Sequence, residues 1–285
     1  ISYRLQSDEV EYIVNDCGAR VFITSIDRRA VVEPLIGRLE NLDQYFMLDG
    51  VIAGFESLEA AMSNQSTQMI EDESIGTSML YSSGTTGLPK CMVQSAGGIL
   101  MNHLKELMLH TDLKREDTIF YFTTCGWMMW NWLISSLACE STIVLYDGNP
   151  LVTDNVLLDI IDKEKISVFG SSAKFFDMLN KKNICANKNH SLDSLKTILS
   201  TGSPLVAERF EYIYSSFKKD ILLASISGGT DIVSCFLLGN PTLPVYAGQL
   251  QSAGLGMDVQ IFNEQGESIT QEQGELVCTQ PFPCC

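Results

Sequence analysis

The sequence predicts an α/β fold of stacked, mostly parallel sheets covered by helices, with a β-rich piece at the C-terminal end. Strand-like apolar runs alternate with helix-length segments from about residue 77 to 225. Strands separated by helices form βαβ units with parallel pairing. Apolar residues make up 45% of the 285 residues, enough for a substantial core. Beyond about residue 240, glycines, prolines and short β-like runs replace the alternation.

The first 74 residues carry alternating helix and strand signals. We expect Ser7 to cap a helix and Gly18 to end it, because serine accepts from the first free amides and glycine adopts the left-handed conformation after a helix. A polar run at 63–74 predicts a surface connection. The predicted elements are a helix at 7–16, a strand at 20–24, a helix at 27–40, a strand at 45–48 and a helix at 57–62.

The middle of the chain is expected to supply the main sheet. The predicted strands lie at 77–81, 118–123, 141–146, 166–169, 196–200 and 221–225, and the predicted helices near 98–110, 127–138, 153–163, 172–181 and 204–217. Further short strands are predicted at 259–262 and 275–278. We therefore expect a domain core at 1–240, incomplete at its N-terminus, and the start of a truncated β-rich subdomain at 241–285.

The charge and cysteine content narrow the function classes. A net charge of −16, from 19 basic and 35 acidic residues, argues against non-specific binding to nucleic acid or to an anionic membrane. The longest mostly apolar stretch, 127–139, has 13 residues, too few to span a bilayer, and is expected to form a buried helix. Nine cysteines without a CxxC pair are typical of reduced thiols in a cytoplasmic protein, and no spacing suits a zinc site.

The segment Tyr81-Ser-Ser-Gly-Thr-Thr-Gly-Leu-Pro-Lys90 carries the strongest chemical signal. Its glycines let successive backbone N–H groups converge on an anion, while the hydroxyls and Lys90 add donors and charge. The NTPase P-loop has Ser or Thr directly after its lysine, whereas this chain has Cys91. A plain surface turn is the alternative. The predicted phosphate-binding residues are Ser82, Ser83, Gly84, Thr85, Thr86, Gly87 and Lys90.

This string resembles the phosphate-binding signature of the adenylate-forming superfamily of acyl-CoA synthetases, luciferases and peptide-synthetase adenylation domains. Three further segments follow in the order of that superfamily. Ser200-Thr-Gly-Ser-Pro-Leu205 stands at its adenine-contacting turn, Ser225-Ile-Ser-Gly-Gly-Thr-Asp231 at its aromatic-Gly-x-Thr-Glu segment, and Gly274-Glu-Leu276 at its Gly-Glu-Leu strand. Four motifs in order are more specific than any one alone.

Within the superfamily, the middle of the chain is similar to the acetoacetate–CoA ligases. The similar segments are 91–98, 126–132, 145–148, 198–205 and 225–232. Residues 1–80 look more like generic fatty-acyl-CoA ligases, notably at 2–5 and 9–18. A chimaeric or misassembled gene and a divergent subfamily are both compatible with this change.

The resemblance implies a two-step reaction whose partners are small molecules: ATP with Mg²⁺, a carboxylic acid and coenzyme A. The carboxylate attacks the α-phosphate of ATP and pyrophosphate leaves; the thiol of coenzyme A then takes the acyl group and AMP departs. Catalysis would rest on positioning and on stabilising phosphate charge, without a protein nucleophile. Complete enzymes of this superfamily add a mobile C-terminal domain with a second lysine, so we expect this chain alone not to complete adenylation efficiently.

The resemblance also assigns residues to the nucleotide. Ser82 to Gly87 and Lys90 would hold the β- and γ-phosphates, and Thr230 the α-phosphate, which makes Lys90 and Thr230 the predicted catalytic residues. Asp231, where the superfamily has Glu, would help bind Mg²⁺. The alternatives are a helix N-cap for Thr230 and Asp231, and a simple first helical residue for Pro204. The predicted adenine or AMP contacts are Gly202, Ser203, Pro204, Ser225, Ile226, Ser227, Gly228, Gly229 and Thr230.

The predicted acyl pocket comprises Trp127, Met128, Met129 and Gly228. For the first three the alternative is ordinary core packing, which is common for an aromatic and methionine-rich helix start. Acetate-specific relatives carry Trp at the position of Gly228, so glycine implies a longer acid, with acetoacetate favoured. Two other functions stay open: a ligase for another short- or medium-chain fatty acid, and a nucleotide-binding protein without catalysis.

Overall fold

The computed structural model describes residues 5–66, 78–81, 91–150 and 152–284. The chain forms two compact units, Ile1–Val93 and Gln94–Cys285. This division differs from the domain bounds expected at 1–240 and 241–285, which stay a prediction. Within the described ranges, no helix is both long and apolar enough to cross a membrane.

The first unit contains a parallel sheet of three short strands in the order β1-β2-β3. Ile23 of β1 stands opposite Phe46 of β2, and the buried side chains of Val14, Met47 and Phe55 belong to its apolar core. Strands β4 and β5 form a separate two-stranded sheet. The elements are α1 (Ser7–Asp16), β1 (Val21–Ser25), α2 (Arg29–Val32), β2 (Gln44–Leu48), β3 (Glu56–Ser57), α3 (Leu58–Ser63), β4 (Ser78–Tyr81) and β5 (Cys91–Gln94).

The N-terminal helices depart from the sequence prediction in two places. Ser7 is not the cap of α1, because Gln6 occupies that position and the Ser7 hydroxyl donates to the Val31 carbonyl at 2.7 Å. The predicted helix at 27–40 is wrong in length. Only α2 is α-helical, flanked by 3₁₀ turns, and Pro34 lies in the second of these turns, where its ring and missing N–H oppose helix continuation. The predicted end of α1 is confirmed, since Gly18 has φ of 62°.

The second unit contains a five-stranded parallel sheet in the order β10-β9-β8-β6-β7, which confirms the predicted α/β fold. Helix α4 continues into a π-helical turn at Glu106–His110, and α5 into a 3₁₀ turn at Ser136–Cys139. The remaining elements are α4 (Ala96–Lys105), β6 (Thr118–Tyr121), α5 (Met129–Ser135), β7 (Thr142–Ile143), α6 (Val156–Lys163), β8 (Val168–Ser172), α7 (Ala173–Lys181), α8 (Ala186–Asn189), β9 (Thr197–Thr201), α9 (Ala207–Ser216) and β10 (Leu222–Ser225).

One row of side chains anchors the main core. Phe120, Phe169, Ile198 and Leu223 lie side by side on β6, β8, β9 and β10 and are buried. Residues of α6, α7 and α9 belong to the same apolar cluster. Burying both faces explains why these strands are continuous apolar runs rather than alternating ones.

Antiparallel strands complete the second unit. A three-stranded sheet has the order β11-β12-β13, and a hairpin pairs β14 with β15. The two strands predicted at 259–262 and 275–278 are confirmed. The bounds are β11 (Ser227–Gly229), β12 (Ser234–Leu238), β13 (Ser252–Ala253), β14 (Val259–Phe262) and β15 (Glu275–Cys278).

Candidate active site

A cleft of about 120 Å³ opens in the second unit. Two of its lining residues mark the carboxyl ends of parallel strands, since Thr201 ends β9 and Ile226 follows β10. Ligands of α/β proteins bind at this edge of the sheet, because the loops beyond the strand ends form a crevice there. The lining residues are Trp127, Met128, Met129, Thr201, Gly202, Ile226, Gly228, Gly229, Thr230 and Cys235.

The turn after β9 supplies one side of the cleft. Gly202 has φ of 85°, a backbone conformation that glycine adopts without strain. The Thr201 hydroxyl donates to the Ile226 carbonyl at 2.8 Å and so ties this turn to the end of β10. Ser203 and Pro204 follow but do not line the cleft. The alternative that Pro204 begins a helix is wrong, since α9 begins at Ala207.

The second side is formed by the chain entering α5. The Trp127 amide donates to the Thr124 carbonyl at 3.0 Å, and the Trp127 ring packs edge-on against Tyr121 with the centroids 5.9 Å apart. The same indole lies 3.6 Å from the position that a Cβ on Gly202 would take. Met128 and Met129 are buried, at 7% and 1% exposure, while lining the cleft. These two methionines therefore serve both the core and the cleft wall.

The hairpin of β11 and β12 forms the third side. Its strands approach so closely at Gly228 that a Cβ there would lie 2.1 Å from the Ser234 carbonyl oxygen. A contact that short is a steric overlap with the backbone of β12. Gly228 borders the cleft, but close strand approach requires glycine here independently of pocket size. That Gly228 widens an acyl pocket stays a prediction.

Thr230 and Asp231 lie in the tight turn between these strands, where the Val233 amide donates to the Thr230 carbonyl at 3.3 Å. The alternative of a helix N-cap at these residues is wrong, because strand β12 follows the turn. A Gln94 side-chain amide donates to the Asp231 carbonyl. The turn thus presents Thr230 to the cleft, and the Gln94 side chain, which does not line the cleft, holds the turn in place.

The carboxylate of Asp231 folds back over the cleft-lining Gly229. Its Oδ1 lies 2.1 Å from the position that a Cβ on Gly229 would occupy. Asp231 is exposed, and no group of three or more His, Cys, Asp or Glu side chains suited to a metal occurs in the described part of the chain. Asp231 therefore offers a single carboxylate, which fits a hard cation that takes its remaining ligands from phosphate and water.

Residues 1–283 match the family model described as AMP-binding enzyme. The chain belongs to the AMP-binding enzyme family. The resemblance drawn from the four sequence motifs is thereby confirmed at the level of the family.

Among AMP-binding enzymes, the chain is 47% identical to an acetoacetyl-CoA synthetase of Gallus gallus over 262 residues, which are 90% of this chain and 39% of that protein. It is 54% identical to the acetoacetyl-coenzyme A synthetase of Rhizobium meliloti (strain 1021) over 206 residues, 72% of this chain and 32% of that protein. The solved acetoacetyl-CoA synthetase from Streptomyces lividans superposes with a TM-score of 0.85 at 35% identity, covering 96% of this chain and 46% of that one. The chain thus spans less than half the length of these relatives.

The cleft brings together residues of three segments singled out in the sequence, 126–132, 200–205 and 225–231. Ser203, Pro204, Ser225, Ser227 and Asp231 were predicted as site residues but do not line it. The phosphate loop, with Ser82, Ser83, Gly84, Thr85, Thr86, Gly87 and Lys90, lies outside the described residues. Its predicted role stays a prediction.

Two lining residues, Thr201 and Cys235, were missed from the sequence. Thr201 lies inside the Ser200-Thr-Gly-Ser-Pro-Leu205 motif. Its position directly before Gly202, which adopts the left-handed conformation, could have indicated that it lines the site. Cys235 lies beyond the turn and carries no motif. Burial raises the pKa of its thiol well above the ordinary value, and the neighbouring Glu106 carboxylate raises it further.

Proposed function

We propose that this chain is the nucleotide- and acyl-binding part of an AMP-forming acid–thiol ligase. The enzyme activates a short carboxylic acid, acetoacetate by preference, as acyl-AMP and transfers the acyl group to coenzyme A. The observation that carries the proposal is the single cleft in which Trp127, Gly202 and Thr230 meet, each from a different motif. The names of the three similar proteins given above, each an acetoacetyl-CoA synthetase, support the choice of acid.

The nucleotide is assigned to the sides formed by the turn after β9 and by the β11–β12 hairpin. The adenine and ribose portion lies along Gly202, Ser203, Pro204 and the segment 225–229, where small residues leave room for a flat ring. Thr230 reaches the α-phosphate, and Lys90 with residues 82–87 holds the β- and γ-phosphates. These donors stabilise the negative charge that develops on the departing pyrophosphate. They do so in the transition state because the protein holds them in fixed positions.

Asp231 is the residue assigned to Mg²⁺. The exposed carboxylate above Gly229 lies next to the assigned phosphate contact Thr230. Bound magnesium would neutralise phosphate charge and orient the α- and β-phosphates for in-line displacement. Asp is one methylene shorter than the Glu of the superfamily, so Asp231 would hold the cation with a different geometry or through a bridging water.

The acid is assigned to the side formed by Trp127, Met128 and Met129. These side chains exclude water from the reacting carboxylate and hold the acyl chain by apolar contact. Cys235, whose thiol pKa is raised by burial, is protonated at neutral pH and does not compete as a nucleophile. Both steps therefore proceed between bound substrates, without a covalent intermediate on the protein.

The experiment is an acid-dependent ATP–pyrophosphate exchange assay on the full-length protein that carries this chain. Acetate, acetoacetate, butyrate and hexanoate are compared at matched concentrations. We expect exchange to be fastest with acetoacetate and to fall by about two orders of magnitude or more in the variants Lys90→Ala and Thr230→Ala. The exposed Lys174→Ala and Thr270→Ala variants serve as matched controls.

The outcomes separate the open functions. A preference for butyrate or hexanoate would replace acetoacetate as the substrate and retain the ligase chemistry. ATP binding without exchange for any acid would contradict the ligase and leave a nucleotide-binding protein without catalysis.

A further inference from the structure

Glu106 is a completely buried carboxylate at the start of the π-helical turn that extends α4. None of the sequence motifs includes it, and it does not line the cleft. Burying a carboxylate is costly unless hydrogen bonds and an opposite charge compensate it. A group retained at such cost needs a physical reason.

The two carboxylate oxygens face different elements. Oε1 accepts from the Cys235 amide at 3.3 Å, from the Asn102 side-chain amide at 3.4 Å, and from the Ser234 hydroxyl. Oε2 accepts from the indole Nε1–H of Trp132 at 2.9 Å. One oxygen therefore holds the start of β12, and the other holds α5.

These partners lead directly to two sides of the cleft. Cys235 lines the cleft itself, and its strand pairs with the Gly228–Gly229 segment of β11. Trp132 lies one helical turn after Met129, whose side chain forms the opposite wall. The Glu106 carboxylate thus connects two walls of the cleft. One oxygen is hydrogen-bonded to the β11–β12 hairpin and the other to α5.

A neighbouring ammonium group offsets negative charge on the Glu106 carboxylate. Lys105 places its ammonium 3.7 Å from Oε1, with its side chain only 17% exposed. The indole and the backbone amide can only donate, so both carboxylate oxygens must accept at the same time. An amide of the same shape would direct its NH₂ group at one of these donors.

We propose that Glu106 is a positioning residue, which fixes the separation of the two cleft walls because each of its two side-chain oxygens accepts a hydrogen bond from a different wall. The proposal rests on the proposed function, since it assigns the bridged cleft to the acid and the nucleotide. Substitution by glutamine keeps the volume but forces an N–H to N–H clash with either Trp132 or Cys235. The wall on that side must then shift, which weakens binding of a ligand that touches both walls.

The test is a double-mutant cycle on the full-length protein with Glu106→Gln, Trp132→Phe and the double variant. In pyrophosphate exchange, Glu106→Gln should raise the KM for the acid about ten-fold or more at a temperature where the variant is fully folded. In the Trp132→Phe background the same change should cost at least about three-fold less, because the indole donor is gone. Loss of stability alone would lower the melting temperature and leave the KM unchanged.

A second readout does not depend on activity. In the protein labelled with ¹⁵N-tryptophan, the Trp132 indole proton, assigned through Trp132→Phe, should resonate downfield and resist solvent exchange for hours. Exchange within minutes, or equal effects of Glu106→Gln in both backgrounds, would overturn the proposal. If the wild-type protein shows no pyrophosphate exchange with any of the acids, the proposed function fails. The exchange rate of the Trp132 indole proton still decides this inference.

Discussion

The imidazole Nε2–H of His103 donates a hydrogen bond to the carbonyl of Val233, a buried β-branched residue with φ of 47°. This left-handed conformation costs a β-branched residue about 1–3 kcal/mol, so the surroundings must hold it. His103 does so from α4, and its other ring nitrogen, Nδ1, lies 2.8 Å from the Ser135 hydroxyl oxygen. The turn that presents Thr230 to the cleft is therefore held by the buried imidazole of His103.

Acidification should destabilise the protein through its two buried histidines. Burial lowers the pKa of His103, partly offset by Glu106, and burial also lowers the pKa of His110. His110 donates from Nδ1 to the Gly239 carbonyl at 2.7 Å and accepts at Nε2 from the Leu255 amide at 3.0 Å. Its cationic form has no acceptor left for that amide.

The unfolded chain binds protons on these histidines near pH 6.5, before the folded protein does. Stability is therefore complete above that pH and falls as the pH drops toward the folded pKa, by up to about 1.4 kcal/mol per unit for each histidine. Urea denaturation at pH 7.5, 6.5 and 5.5 measures this slope. His110→Gln should make the slope shallower, and an unchanged slope would contradict this account.

A methyl group at position 228 should destabilise the hairpin. Gly228→Ala places Cβ against the Ser234 carbonyl, and such overpacking costs about 1–3 kcal/mol. The matched control is Gly97→Ala in α4, where nothing lies within 4 Å of the new Cβ and helix propensity favours alanine by about 0.5–1 kcal/mol. Urea denaturation of both variants checks the prediction. Equal stability of Gly228→Ala and wild type would show that the strands separate freely.

Removing the charge of Asp231 should raise the Mg²⁺ requirement. Asp231→Asn retains an oxygen ligand but loses the charge that attracts the cation. We expect the Mg²⁺ concentration for half-maximal pyrophosphate exchange to rise about ten-fold, and Asp231→Glu to stay near wild type. Exposed Asp147 offers the control variant Asp147→Asn. An unchanged magnesium dependence of Asp231→Asn would remove this residue from the metal site.

The buried Asp117 should matter more to stability than an exposed ion pair does. Burial raises its pKa, but hydrogen bonds outweigh burial and leave the pKa below its ordinary value. The donors are the Lys196 ammonium and the Lys114 amide, each at 2.8 Å. Asp117→Asn should cost about 1–3 kcal/mol at pH 7, against less than about 1 kcal/mol for Asp154→Asn, whose partner Lys182 is half exposed.

The sign of the pH effect gives a second check on Asp117. Because the folded pKa is lowered, its contribution is present above the unfolded pKa of about 3.9 and is lost as the pH falls through the folded value. Urea denaturation at pH 7 and pH 3 should therefore bring the Asp117→Asn variant and wild type closer together at the lower pH. A gap that widens on acidification would contradict the assignment.

The sequence predicted the sheet because its strands are apolar runs buried on both faces, as at Phe169 and Ile198. Element ends were less predictable, since Pro34 shortened one helix against an otherwise favourable pattern. In the site, the glycines and Thr230 were recognisable because their roles depend on local backbone. Glu106 and Cys235 were not recognisable, because the sequence does not show whether a side chain is buried or which groups surround it. Their environment arises only when segments 129 positions apart meet.

That separation along the chain has a consequence for synthesis. Contacts between distant segments require that both segments be present and that the intervening loop close, at the cost of loop-closure entropy. A ribosome-bound chain that ends before Cys235 contains the parallel strands but lacks the element opposite α5, so the carboxylate of Glu106 has only part of its donor set. Under the proposed function, a nucleotide would therefore find the complete cleft only once β12 has emerged.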